Sequence, residues 1–184
     1  KRIVHASGDS QIARLIKFSP LAVACGINAL AKGSLILTDV RMVAAGINNR
    51  LVQACGCSLL CAVDEINPEH VAGPAMTRTA AAMYHLGTRL NGAVVAIGNA
   101  PTALLALIDM IDNSKIVPAL TVGMPVGFVQ AREAKAELMR RKVPYITIEG
   151  TRGGSALAAA TVNALLQLAH ESKCDSPPNQ THRD

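Results

Sequence analysis

The chain has 184 residues, half of them hydrophobic, and Lys plus Arg exceed Asp plus Glu by 18 − 13 = 5. That length suits one compact domain whose core needs neither disulfides nor a structural metal. Two Phe, two Tyr and no Trp argue against modules that stack bases on aromatic platforms, and the scattered basic residues argue against a nucleic-acid footprint.

The chain begins at Lys1 inside an apolar run, which sets the expectation of a preceding segment in the natural protein. Residues 3–6 read as the end of a short strand that carries His5. Ser19 and Pro20 supply an N-cap and a first-turn proline for a helix to about residue 32. Residues 35–38 form a buried strand, and Asp39 is placed to cap a short helix ending near Gly46. The segment QACGCSLLCAVDE alternates like a strand, with the strand itself at 57–63. Thr77 opens an Ala-rich helix through about residue 89.

Residues 93–97 are the clearest strand, followed by the turn Gly98-Asn99-Ala100-Pro101 and a helix to about residue 112. The hydrophobic window 93–111 is long enough for a membrane span, but this turn divides it and Asp109 lies in its second half. No membrane partner is expected. A strand at 117–122, a charged helix at 130–141 and a last strand at 145–148 follow. After the loop 150–155 a long Ala-rich helix runs to about residue 170, and 171–184 has the composition of a mobile tail. No repeat or linker divides the chain, so residues 1–170 are expected to form a single domain.

Strands alternating with helices predict a mainly parallel, doubly wound α/β sheet with helices on both faces. An interior of Ala, Val, Ile and Leu suits strands buried on both sides. Ligands of such sheets sit beyond the carboxyl ends of the strands, where this chain places its Gly-rich turns.

Three turns carry the candidate chemistry. At Gly98-Asn99 the backbone can approach a ligand, and the following helix N-terminus offers N–H groups to an anion; an ordinary strand-to-helix turn explains the same residues equally well. Gly123-Met124-Pro125-Val126-Gly127-Phe128 reads as tight turn chemistry with a core ring, or as an apolar wall for a large flat ligand. Thr151-Arg152-Gly153-Gly154-Ser155 joins a cation to flexible glycines and a helix start, a plausible carboxylate or phosphate clamp. A solvated Arg is the plainer alternative.

Arg41 follows a strand and has Asp39 or a neighbouring carboxylate as a possible partner. Arg78, beside Thr77, has no acidic residue within four positions, so local pairing explains it less well. His5 precedes Ala6-Ser7-Gly8 at a strand end, where an imidazole can donate a proton near neutral pH. A lone strand-end His is more often structural. His70, His85, His170 and His182 show no metal-binding spacing. Cys25, Cys55, Cys57, Cys61 and Cys174 are odd in number and point to a reducing compartment. Cys55, Cys57 and Cys61 invite a metal reading, but no second ligand pair follows, and buried thiols explain them better.

Seven segments together resemble the precorrin-8X methylmutase family: VHASGD at 4–9, FSPLAVACGINAL at 18–30, LTDVRMVAAGI at 37–47, MTRTAAA at 76–82, VVAIGNAPTAL at 94–104, GMPVGFVQAREAK at 123–135 and GTRGGSALAAATVNAL at 150–165. Their order and spacing match from about residue 3 to 166. The resemblance implies a homodimeric, cytoplasmic isomerase of cobalamin biosynthesis with a Rossmann-like sheet. Such enzymes move a methyl group from carbon 11 to carbon 12 of precorrin-8X, or of its cobalt form, as in a 1,5-sigmatropic shift. Hydrogenobyrinate or cobyrinate results.

By the same resemblance His5 matches the family's proton-donating histidine, and Arg78 matches its substrate-binding arginine. A polycarboxylate tetrapyrrole substrate also accounts for Arg41, Thr77, Gly98, Asn99, Arg152, Gly153 and Gly154 as binding groups, with Asn48 a further candidate. No cofactor is expected, and cobalt would arrive chelated in the substrate. Two rivals remain at this point: a nucleotide- or phosphosugar-binding α/β enzyme, and a non-catalytic corrinoid carrier.

Overall fold

The computed structural model describes residues 1–67 and 76–174. The strands are β1 (Ile16–Phe18), β2 (Leu35–Thr38), β3 (Ser58–Cys61), β4 (Val94–Ile97), β5 (Leu120–Gly123) and β6 (Tyr145–Ile148). They form one sheet in the order β1-β6-β5-β4-β2-β3. Strands β2 to β6 pair in parallel, while β1 runs antiparallel to β6 with Ile16 opposite Ile148.

The helices are α1 (Arg2–Ser7), α2 (Ala22–Ala31), α3 (Arg41–Ala45), α4 (Asn49–Ala54), α5 (Arg78–Leu86), α6 (Pro101–Asn113), α7 (Ala131–Met139) and α8 (Ser155–Cys174). Alternation along each strand sends successive side chains to opposite faces. Val94, Ala96, Leu120, Val122, Ile146 and Ile148 join the core under α2, α3, α4 and α8. Val95 and Ile97 join a second core under α5, α6 and α7. Every residue of β4 and β5 is buried, as two covered faces require. The mainly parallel α/β sheet with helices on both faces is therefore as the sequence predicts.

Several local readings need correction. Residues 2–7 are a helix, not a strand end. Ile3 and Val4 pack on the α8 core while His5 and Ala6 stay exposed, so the segment has one apolar side and no neighbouring strand. Closing the backbone on itself satisfies it: His5 N–H donates to Lys1 O at 2.9 Å, and Gly8 N–H to Val4 O at 3.1 Å. Ser19 does not cap α2, because it continues the edge ladder; its N–H donates to Tyr145 O at 3.0 Å and its Oγ accepts from Tyr145 N–H at 2.8 Å. Strand β1, helix α4 and the 3-10 turn Ser10–Arg14 were not expected, and β5 begins three residues later than predicted. Helix α8 continues past the expected end to Cys174; the rest of the expected tail, 175–184, lies outside the described residues, as do His70 and His182.

Asp39 is the correction with the largest consequence. Helix α3 starts after Val40 without a side-chain cap. The fully buried Asp39 carboxylate instead reaches across the sheet to the β4–α6 turn, accepting from Gly98 N–H at 3.1 Å, Asn99 N–H at 2.9 Å and Ala100 N–H at 2.8 Å. Burial pushes its carboxyl upward from its ordinary value, against the downward pull of those donors. Replacing Asp39 with Ala leaves the three donors without their acceptor and is expected to lower stability by about 3 kcal/mol, while Asp39→Asn, which keeps an acceptor oxygen, costs less. Urea unfolding measures both; a loss below about 1 kcal/mol for the Ala variant would show that the turn does not depend on this carboxylate.

Candidate active site

The carboxyl ends of the parallel strands gather two groups of polar side chains on either side of the β4–α6 turn. The first lies where α1 crosses α8. His5 is exposed there and lines an open cavity of about 470 Å³ with Arg2, Ala6, Ala160 and Asn163. Ala6 is also part of a second cavity of about 410 Å³, which reaches Asp9, Val126, Arg152 and Gly153. Arg152 forms an ion pair with Asp9. The other Asp9 carboxylate oxygen accepts from Gln11 N–H at 2.8 Å and so caps the 3-10 turn after α1. One aspartate thereby fixes the 150–155 loop to the segment that carries His5.

The loop itself is held by backbone. Gly153 lies so close to the next loop that a Cβ there would stand 2.3 Å from Met124 O and 2.7 Å from Pro125 O. Gly154 N–H donates to Met124 O at 2.8 Å, and Gly127 N–H to Thr151 O at 3.2 Å. Beneath the loop, the buried Lys135 donates from Nζ to Arg152 O at 2.5 Å. On its outer side Val126, Phe128 and Val129 are 44%, 93% and 79% exposed. Phe128 is thus not a core ring; the loop presents apolar surface beside the cationic one.

The second group surrounds the loop after β3. Arg41 Nε donates to Asp64 Oδ1 at 2.6 Å, not to Asp39. Arg78 donates to Val63 O at 2.7 Å. The Arg41 hydrogen bond is the main cause holding the Asp64 carboxyl below its ordinary value. Thr77 Oγ1 caps α5 by accepting from Ala80 N–H at 3.2 Å, and lies 2.7 Å from Thr102 Oγ1 in the first turn of α6. Both arginines are exposed.

The β4–α6 turn joins the groups. A Cβ on Gly98 would stand 2.7 Å from Ser155 Cα at the start of α8, while Thr102 of α6 touches Thr77 on the other side. The N–H groups of Gly98 and Asn99 are bound to Asp39, so the anion-accepting role expected of them is already taken by the protein's own carboxylate. The Asn99 residue stays exposed at the edge. Asn48 is also committed: its side chain caps α4, accepting from Arg50 N–H at 3.0 Å. Its N–H donates to Asn163 Oδ1 at 2.8 Å, which places it behind the His5 cavity.

Asp9, Asp64, Thr102 and Lys135 were not singled out in the sequence. Asp9 had a local signal, since an Asp after the helix-ending Gly8 suits a cap. Asp64 pairs across 23 residues, and no local pattern announces that. Among the described residues no group of three or more His, Cys, Asp or Glu is placed to hold a metal ion. Cys55 and Cys57 direct their Sγ atoms to Leu166 O and Leu30 O, at 3.6 Å and 3.3 Å.

A parallel sheet with arginines and one exposed histidine at its carboxyl edge defines an α/β enzyme whose site suits an acidic small molecule. The family model described as precorrin-8X methylmutase matches residues 1–168. The chain is 46% identical over 167 residues to the precorrin-8X methylmutase of Pseudomonas aeruginosa, covering 89% of this chain and 80% of that one. It is 38% identical over 178 residues to the cobalt-precorrin-8 methylmutase of Leptospira interrogans, covering 92% and 81%. A crystal structure of the precorrin-8X methylmutase of Thermus thermophilus superposes with a TM-score of 0.85 at 42% identity, covering 93% of this chain and 84% of that one.

The chain belongs to the precorrin-8X methylmutase family. It is an isomerase of cobalamin biosynthesis, an intramolecular methyl transferase, and neither the nucleotide-binding nor the carrier reading finds support among these relatives. No helix among the described residues is long and apolar enough to cross a membrane.

The thiol cluster gives a direct check on the packing. Burial, with the nearby Cys55 as a second cause, pushes the Cys57 thiol up to about 11. Since the thiolate is the reactive form, iodoacetamide is expected to label exposed Cys174 readily near pH ~7.5 and Cys57 slowly, with the Cys57 rate climbing as pH rises. Mass spectrometry of peptides would decide; equal labelling of the two would contradict this environment.

Proposed function

We propose that the chain moves a methyl group from carbon 11 to carbon 12 of precorrin-8X or cobalt-precorrin-8, giving hydrogenobyrinate or cobyrinate. In this reading His5 donates a proton to the ring system, and Arg152, Arg78 and Arg41 hold its acidic arms. The observation that carries it is the Arg152–Asp9 ion pair, which keeps a cationic loop beside the His5 helix. Asp9 occupies the guanidinium as a substrate carboxylate would, so an incoming arm exchanges for a group of the same charge and geometry.

An intramolecular migration asks little chemistry of the protein. The macrocycle must be held in one geometry, and one proton must be supplied at the right place. A tetrapyrrole is broad enough to address both polar groups across the β4–α6 turn. Thr77 and Asn99 lie along that path, Gly153 and Gly154 set the shape of the clamp, and Asn48 supports the His5 cavity from behind. Val126, Phe128 and Val129 offer apolar surface to a ring face. No redox cofactor takes part in this scheme, and cobalt enters only within the substrate.

We also infer a homodimer, in which a second chain adds walls to cavities that are open in the single chain. A cytoplasmic setting fits five cysteines that are all free. The test is to mix enzyme with precorrin-8X and follow the visible spectrum. Conversion to the hydrogenobyrinate chromophore is expected, and its failure with the full-length protein would reject the reading. His5→Ala is expected to lower kcat by roughly 10²–10⁴-fold while corrinoid binding survives. Near-normal turnover would remove His5 from the mechanism. Arg152→Ala and Arg78→Ala are each expected to raise KM by roughly 10-fold or more, as loss of a charged hydrogen bond implies.

A further inference from the structure

Lys135 is a charge that the fold does not explain. It lies on α7 with no exposed surface, packed beside Ala131, Ala134 and Leu138, which are equally buried. Its Nζ donates to the carbonyl oxygen of Arg152 at 2.5 Å, and among the described residues no carboxylate is bonded to it. Burying an ammonium costs several kcal/mol unless a counter-charge and full hydrogen bonding offset it. One carbonyl offsets little. A neutral donor such as Gln would hold that carbonyl at lower cost.

The surroundings add to the excess. The ammonium sits under the loop that leads into α8, whose N-terminus is the positive end of a 20-residue helix. Arg152 projects from the same loop, and the side chain of its partner Asp9 is 35% exposed. Three positive sources, one ammonium, one guanidinium and one helix end, therefore gather at this loop, and among the described residues the one carboxylate bonded to either side chain is that of Asp9. Such a site is electrostatically incomplete until an anion arrives, and the loop geometry is what directs that anion to Arg152.

We propose that Lys135 is a positioning residue for substrate binding: it fixes the Arg152 carbonyl from beneath, so that the guanidinium above is held toward a carboxylate arm of the tetrapyrrole. The inference rests on Arg152 being a substrate clamp, and it adds a buried residue that never touches substrate. Burial also holds the Lys135 ammonium down to about 8, which marks how far it stands from aqueous surroundings.

The test is a double-mutant cycle on the full-length enzyme with precorrin-8X as the probe. Lys135→Met removes the charge and the donor but keeps most of the volume, and replacing a buried ion by an apolar side chain is commonly neutral or stabilising. The expected result is unchanged or raised Tm, KM raised by about tenfold, and kcat within about twofold of the parent. In an Arg152→Ala background the same change is expected to alter KM by less than about twofold, because the guanidinium it positions is gone. Lys135→Gln retains a donor and is expected to recover part of the KM loss; it also stands in if the Met variant does not fold.

Outcomes separate the two assignments. If Arg152→Ala raises KM and Lys135→Met does not, Lys135 is merely structural and the inference falls alone. If Arg152→Ala leaves KM unchanged, the clamp reading itself fails. If the two effects multiply independently, or if Lys135→Met lowers kcat and Tm with KM intact, positioning through Arg152 is overturned.

Discussion

At Gly153 two loop backbones meet with no room for a side chain between them, and the site is arranged around that contact. The carbonyls of Met124 and Pro125 occupy the place where a Cβ would go. Because the β5–α7 and β6–α8 loops are joined this closely, Arg152, the start of α8 and the exposed Phe128 keep fixed relations to one another. Helix α8 then carries the relation onward. It supports α1, and with it His5, and it presses Ser155 against Gly98. A loop contact at one end of the sheet thus sets the distance between His5 and Arg152.

The same edge shows which anion sites the protein keeps for itself. Helix N-termini in α/β folds are ready receptors for acidic groups. At α6 the receptor is filled by Asp39, which is fully buried and bonded to three N–H groups. At the β6–α8 loop the position near the helix start is served by Arg152 and Asp9 at the surface, where a partly exposed carboxylate can leave. Burial distinguishes the two. A buried carboxylate with three donors is architecture, whereas an exposed ion pair is weakly held and suited to exchange.

How much of this was legible beforehand follows from the range of each interaction. Strand β4 is a continuous apolar run and β5 is broken only by Thr121, each running into a Gly, and both the fold class and the position of the turns could be read from them. His5 stood out at an apparent element end before Ala6-Ser7-Gly8, Arg78 because no acidic residue lies within four positions, and Arg152 because it sits among glycines at a helix start. The helical state of α1 was missed because six residues with two large apolar side chains fit either period, and packing on α8 decided between them. The role of Asp39 was missed for a different reason: the residue two positions before a short helix looked like its cap, yet the better donors lay about sixty residues away.

Long-range polar pairs are what sequence patterns conceal. Arg41 with Asp64, Arg152 with Asp9 and Lys135 with the Arg152 carbonyl each join separate elements. None leaves a trace in periodicity, because hydrophobic spacing records which face is buried and says nothing of which charges face one another. Lys135 shows the limit most clearly. On a charged helix it reads as one more solvated residue, and only the folded chain turns it inward beneath the loop that carries Arg152. Its burial is costly to a fold that has neutral donors at its disposal, and that cost is the ground for the positioning role proposed for it.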